Sequence, residues 1–168
     1  MDEQIFRSLQ PILLGLIGEP GWALITSWAL PGTVLVAAGL WAHRERRWKT
    51  LLICVCCGLL GESLSSHVIK PIFAVARPCR IEGMSLLARC SWTYSMPSSH
   101  AVSIVAGLLP LALAWRRAAL GLGALAFLFI ISRSALGMHW PSDLLVGALF
   151  GAIIGIVGHR LQNRFEAT

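Results

Sequence analysis

Two histidines, three strong cations and an aspartate stand in an order suited to binding and attacking a phosphate ester. Lys70 is followed after six residues by Arg77-Pro78. Pro97-Ser98-Ser99-His100 comes next, then Ser132-Arg133, five residues, His139, three residues and Asp143. A phosphate or diphosphate brings about one to three negative charges, and Lys70, Arg77 and Arg133 can neutralise them, Arg through a bidentate fork. Ser98 or Ser99 suits the N-cap of the apolar run that follows. The start of a helix leaves backbone N–H groups unpaired and carries partial positive charge, so it is ready to take an anion. His100 lies in the first turn of that helix, where a proton donor could reach the anion. His139 and Asp143 are four residues apart at another helix start, close enough to touch. A carboxylate on one ring nitrogen fixes the tautomer and leaves the other nitrogen free to attack. Taken singly, each feature has a plainer explanation: a capped helix, an interfacial cation, a structural His–Asp bond. It is their combination that points to chemistry.

The three segments together, in order and internal spacing, resemble the type 2 phosphatidic acid phosphatase superfamily, whose phosphate site is shared with vanadium haloperoxidases. The resemblance spans residues 70 to 143. It implies that His139 is a nucleophile forming a phosphohistidine, that Asp143 orients it, and that His100 protonates the leaving oxygen and then activates water. Lys70, Arg77, Ser98, Ser99 and Arg133 would bind the phosphate, with backbone N–H groups near Ser98 and Ser99 facing the developing charge. One position departs from the family: Gly is usual where Ser99 stands, and a side chain there crowds the approach of backbone to phosphate.

Such a site needs a scaffold, and composition names its solvent. The 168 residues are 56% hydrophobic and only 13% charged, against about 25% charged in a soluble domain. Mean hydropathy is +0.71. The expected fold is an all-α integral membrane protein, residues 1–168 forming one domain: about five transmembrane helices plus an N-terminal interfacial helix. The net charge of +6 does not call for nucleic acid, because the basic residues flank apolar runs. The Met-Asp-Glu start lacks a basic region, so no removable signal peptide is expected.

Residues 4–18 read as the interfacial helix, interrupted by Pro11 and ended by a turn at Glu19-Pro20-Gly21. The expected spans are Trp22–Ala42, with a kink at Pro31-Gly32, then Thr50–Ile69, Ser99–Trp115, Ala118–Leu136 and Ser142–Gly158. Pro71, Pro78 and Pro97 mark residues 70–97 as a long non-spanning segment. The basic loops at 43–49 and 116–117 and the tail after His159 would lie inside. They hold eight of the 14 Lys and Arg residues. The motifs would then face the periplasm or exterior from a plasma (inner) membrane. Glu62, inside the second span, is expected to bond a neighbouring helix.

The outer segment carries Cys79 and Cys90, and an oxidising compartment would favour a disulfide between them, worth on the order of 3 kcal/mol by loop closure. Cys54, Cys56 and Cys57 lie inside the second span, where thiols behave as small apolar groups. No His-Glu-x-x-His, paired Cys-x-x-Cys, Walker or Gly-x-Gly-x-x-Gly motif is present, so neither metal nor cofactor is expected; cations take the metal's place. The expected activity is metal-independent hydrolysis of a lipid phosphate or diphosphate. The first guess, from resemblance to small bacterial members, is undecaprenyl diphosphate. Phosphatidylglycerophosphate, phosphatidic acid and lipid A phosphates stay open. So do phosphate transfer to a second lipid and, further off, a non-enzymatic anionic-lipid-binding scaffold. The sequence leaves oligomeric state open.

Overall fold

A computed structural model describes residues 2–27, 29–81, 87 and 89–166, and the described residues are helical wherever they are regular. Among the described residues seven α-helices follow in order: α1 (Asp2–Ile25), α2 (Ala29–Arg44), α3 (Trp48–Leu64), α4 (Lys70–Phe73), α5 (Ser99–Ala114), α6 (Ala119–Ala135) and α7 (Pro141–Glu166). Three helical stretches among the described residues are long and apolar enough to cross a membrane: Trp48–Phe73, Arg116–Ala135 and Pro141–Arg164. Ser99–Ala114 is an apolar helix of shorter length. Large apolar side chains such as Leu59, Leu120, Leu145 and Ile153 lie exposed around the bundle, as lipid-facing positions should.

Several boundaries differ from expectation. Pro11 does not interrupt α1: it lies on an exposed face, where neither its ring nor the carbonyl it orphans meets a packed neighbour. The break comes instead at Gly18, whose φ of 69° and ψ of 173° suit glycine, and Glu19-Pro20-Gly21 is helical. The expected single span Trp22–Ala42 is divided, with α1 ending at Ile25 and α2 beginning at Ala29. Pro71 falls just after a π-turn within one continuous helical stretch, and the second span runs on to Phe73. The last helix extends to Glu166 and takes in the expected tail.

Between α3 and α4 the helix widens to a π-turn over Ser65–Ile69. In a regular helix a residue eight positions after Glu62 would be rotated by about 80°. One extra residue in the wide turn cancels most of that, bringing Lys70 back toward the face of Glu62 and Ser66.

Small residues set how closely the helices approach. Gly147, Gly151 and Gly155 form a stripe on α7 against α5. A Cβ at Gly151 would lie 2.5 Å from the Val102 carbonyl oxygen, and one at Gly147 2.8 Å from that of Ser98. Ala101, Val102 and Ala106 of α5 are fully buried opposite. On its other side α5 meets α3, where a Cβ at Gly107 would lie 3.2 Å from the Cys54 carbonyl. Backbone-to-backbone packing of this kind is how helices gain dispersion energy without help from water. It also brings the start of α5 onto the first turn of α7, where Ser98 N–H donates to the Asp143 carbonyl at 3.1 Å. The ends of α4 and α6 lie beside them, so all motif residues meet at one end of the bundle.

Candidate active site

The turn between α6 and α7 holds His139. Gly137 makes it possible with φ 79°, and His139 is 1% exposed. Its Nδ1 lies 3.3 Å from Asp143 Oδ2. The same carboxylate oxygen accepts the Trp140 N–H at 2.8 Å and the Ser95 hydroxyl. On the other edge of the ring, Arg77 Nη1 lies 3.1 Å from His139 Nε2. A guanidinium can only donate, so Nε2 holds a lone pair and the ring proton is on Nδ1, toward Asp143. Burial first, then the charges of Arg77, Lys70 and Arg133, hold the imidazole pKa well below the usual histidine range. The ring is neutral, with its basic nitrogen turned toward a cation.

Every donor of Arg77 is used. Nε donates to Thr93 O at 2.9 Å, and Nη2 to Thr93 Oγ1 at 2.9 Å and Tyr94 O at 3.3 Å. Nη1 donates to Met138 O at 3.0 Å as well as to His139. Five N–H groups are thereby matched to five acceptors. Burial pushes this guanidinium's pKa down, and the Asp143 carboxylate opposes that. Lys70 Nζ donates to Tyr94 O at 2.8 Å and Ser95 O at 3.4 Å, which leaves one ammonium N–H. Arg133 donates from Nη1 to Thr26 Oγ1 at 2.6 Å, while its buried Nε has no partner. Lys70 and Arg133 therefore keep spare donors, and Arg77 offers only those it already shares.

Thr93, Ser95 and Thr26, which hold these groups, carried no motif signal. Thr93 and Ser95 are visible only as polar residues in the loop before Pro97; nothing near Thr26 marks it. The loop is tied back to the bundle by Ser95 N–H to Val75 O at 2.8 Å. Cys79 and Cys90 are joined in the structure, with Cα atoms 6.0 Å apart. Beside that bridge Arg80 Nη2 donates to Ser91 O at 3.0 Å.

Helix α5 starts at Ser99, and Ser98 is its N-cap without a side-chain cap bond. The buried Ser98 Oγ has no partner, and the Ser98 N–H is taken by Asp143. Ser99 is buried. His100 lines an apolar cavity of about 610 Å³ between α2, α3 and α5. Val34, Leu35, Leu51, Val55, Ile104 and Leu108 line it. Phe129 of α6 closes one side, its ring 6.2 Å from that of His100. Glu62 also lines this cavity. Among the described residues its bond is from Ser66 Oγ of the same helical stretch at 3.3 Å, not from a neighbouring helix as expected.

Residues 50–167 match the family model for the PAP2 superfamily. The chain belongs to the PAP2 superfamily, whose members include membrane phosphatases acting on lipid phosphates. Among solved structures it is similar to Aquifex aeolicus LpxE, at 23% identity with a TM-score of 0.66, over 94% of this chain and 93% of that one. It is similar too to the first transmembrane PAP2 type phosphatidylglycerolphosphate phosphatase from Bacillus subtilis. There identity is 19% and the TM-score 0.66, over 97% of this chain and 85% of that one. A comparison with curated proteins finds no significant match. The chain is an all-helical membrane protein of this fold.

Proposed function

We propose that this chain hydrolyses a lipid phosphate or diphosphate through a phosphohistidine at His139. The observation that carries the reading is the His139 ring: Nδ1–H directed at Asp143 and an unprotonated Nε2 beside Arg77. In the first step Nε2 attacks the terminal phosphorus, and its bond to the leaving oxygen breaks, that oxygen belonging to a lipid hydroxyl in a monophosphate and to a lipid phosphate in a diphosphate. His100 gives its proton to that oxygen. As negative charge grows on the phosphoryl oxygens, the Arg77 N–H shared with Nε2 turns onto one of them, and Lys70 and Arg133 supply their spare donors. In the second step His100 takes a proton from water, whose oxygen attacks phosphorus. The N–P bond breaks, which restores Nε2 and releases phosphate. Asp143 and Ser95 hold Nδ1 throughout, so the ring carries its extra charge against a carboxylate.

The cavity beside His100 supports a leaving group that carries a lipid tail, since it offers apolar walls next to the proposed acid. Undecaprenyl diphosphate is the first substrate to test; phosphatidylglycerophosphate, phosphatidic acid and lipid A phosphates follow. The bilayer is proposed to be the plasma (inner) membrane, with the site facing the periplasm or exterior. The test is phosphate release by the purified protein, without added metal, from that panel. His139→Gln should abolish release, and His100→Gln should lower it by roughly 100-fold or more. Phosphorylated lipid in place of free phosphate would convert the reading to phosphotransfer. Normal turnover in both variants would sink the mechanism.

A further inference from the structure

Helix α1 precedes the segment that the family model covers, yet it is fastened to the site. The Asp2 carboxylate accepts the Ser142 N–H at 3.3 Å and the Ser142 hydroxyl. The Phe6 ring meets Trp140 edge-on at 5.4 Å. Gln10 Nε2 donates to Ala135 O at 3.2 Å. These contacts fix α1 against the end of α6 and the start of α7. Thr26 is the first residue beyond α1, held by its N–H to Trp22 O at 3.0 Å. Its hydroxyl accepts Arg133 Nη1 at 2.6 Å. Among the described residues this is the guanidinium's one hydrogen-bond partner.

We infer that Thr26 is a positioning residue for Arg133, holding one edge of the guanidinium so that its unpartnered Nε–H meets a phosphate oxyanion. The three cations differ in what holds them. Lys70 and Arg77 are anchored by carbonyls of the 93–95 loop, whereas Arg133 depends on a residue 107 positions earlier. A long side chain left without that anchor spreads over many rotamers, and binding must then order it. The choice of a hydroxyl also matters. A carboxylate at this place would orient Arg133 equally well but neutralise the charge meant for the phosphate. A neutral acceptor orients it and leaves the charge intact. α1 is on this reading part of the anion site, although the family pattern begins after it.

The inference rests on the reading of this site as a phosphate site, and the test separates the two. Thermal unfolding of the full-length protein in detergent is followed across orthophosphate and vanadate concentrations. The apparent Kd for each anion is taken from the rise in Tm. Thr26→Val keeps the shape and removes the acceptor, and should weaken both anions by about tenfold, as for loss of one bond to a charged group. Thr26→Ser restores the hydroxyl and should bind within about twofold of wild type, which a purely steric role for Thr26 would not produce. In an Arg133→Gln background the Thr26→Val change should have no further effect on anion affinity. If Thr26→Val fails to fold, Thr26→Ala takes its place in the series. Unchanged affinity in Thr26→Val, or an equal loss in Thr26→Ser, overturns the role of Thr26 with the phosphate site intact. Failure of the wild type to bind either anion overturns the phosphate site and this inference with it.

Discussion

His139 concentrates the electrostatics of the site in one ring. Its neighbour on the Nε2 side is the Arg77 guanidinium, and those on the Nδ1 side are the Asp143 carboxylate and Ser95. Full burial removes water from both edges. The pKa is therefore depressed in the folded state and ordinary in the unfolded chain. The sign follows directly. Below about pH 6.5 the unfolded chain binds a proton at this position and the folded protein does not. Stability falls as pH drops through that value, and goes on falling until the lowered folded pKa is reached. Comparing Tm at pH 7.5 and pH 5 in wild type and His139→Gln isolates the contribution, because glutamine does not titrate. The wild type should lose more stability on acidification than the variant. Equal losses would show that His139 is not held neutral.

At the scale of elements, two constraints place these side chains. The first is the glycine stripe on α7. Because a Cβ at Gly151 would lie 2.5 Å from a backbone oxygen of α5, no rotamer of a larger residue relieves the clash. Gly151→Val should force α5 and α7 apart and cost about 3 kcal/mol, at the upper end for overpacking. Thermal unfolding in detergent measures it, and activity should fall in parallel, since the Ser98–Asp143 contact depends on the same approach. The second is the Cys79–Cys90 bridge, which joins the segment just after Arg77 to the segment just before Thr93. Its loss frees the chain on both sides of the Arg77–Thr93 pair. Cys79→Ser with Cys90→Ser should reduce stability by about 3 kcal/mol on the chain-entropy account. Mass spectrometry of unreduced, alkylated protein from the membrane should find neither wild-type cysteine alkylated.

For the whole molecule the asymmetry runs along the bundle axis. The end opposite the site carries Arg44, Arg46, Arg47 and Lys49 in and around the α2–α3 turn, with Arg116 and Arg117 before α6. Tryptophans accompany them: Trp41 and Trp115 stack at 5.4 Å. Tryptophans mark a membrane interface on either side, and the basic loops favour the cytoplasmic side. An impermeant thiol reagent tests the orientation in intact cells, with Cys54, Cys56 and Cys57 replaced. Trp92→Cys is a suitable outer reporter because Trp92 is 92% exposed, whereas Ser98 and His139 are buried. It should react from outside and Arg47→Cys should not. The reverse pattern would invert the topology and leave the chemistry of the site untouched.

The sequence by itself determined the solvent and the identity of the polar cluster. Hydropathy is a sum over neighbours in the chain, so apolar runs such as 119–131 and 144–157 show without any knowledge of packing. The residues from Lys70 to Asp143 are visible because their order and internal spacing resemble a known family's pattern. Tertiary structure alone decided where the N-terminal helices break and which donors each cation keeps. Pro11 stays helical because its outer face is unpacked, and Lys70 is turned by a π-turn that no residue type marks. Arg77 and Arg133 look alike in the sequence. One is saturated by a loop some 16 residues on together with Met138 and His139, while the other donates a single bond to a threonine 107 residues earlier. Hydrogen-bond partners over such separations are chosen by how the helices pack, and the stretches of chain on either side do not encode them locally.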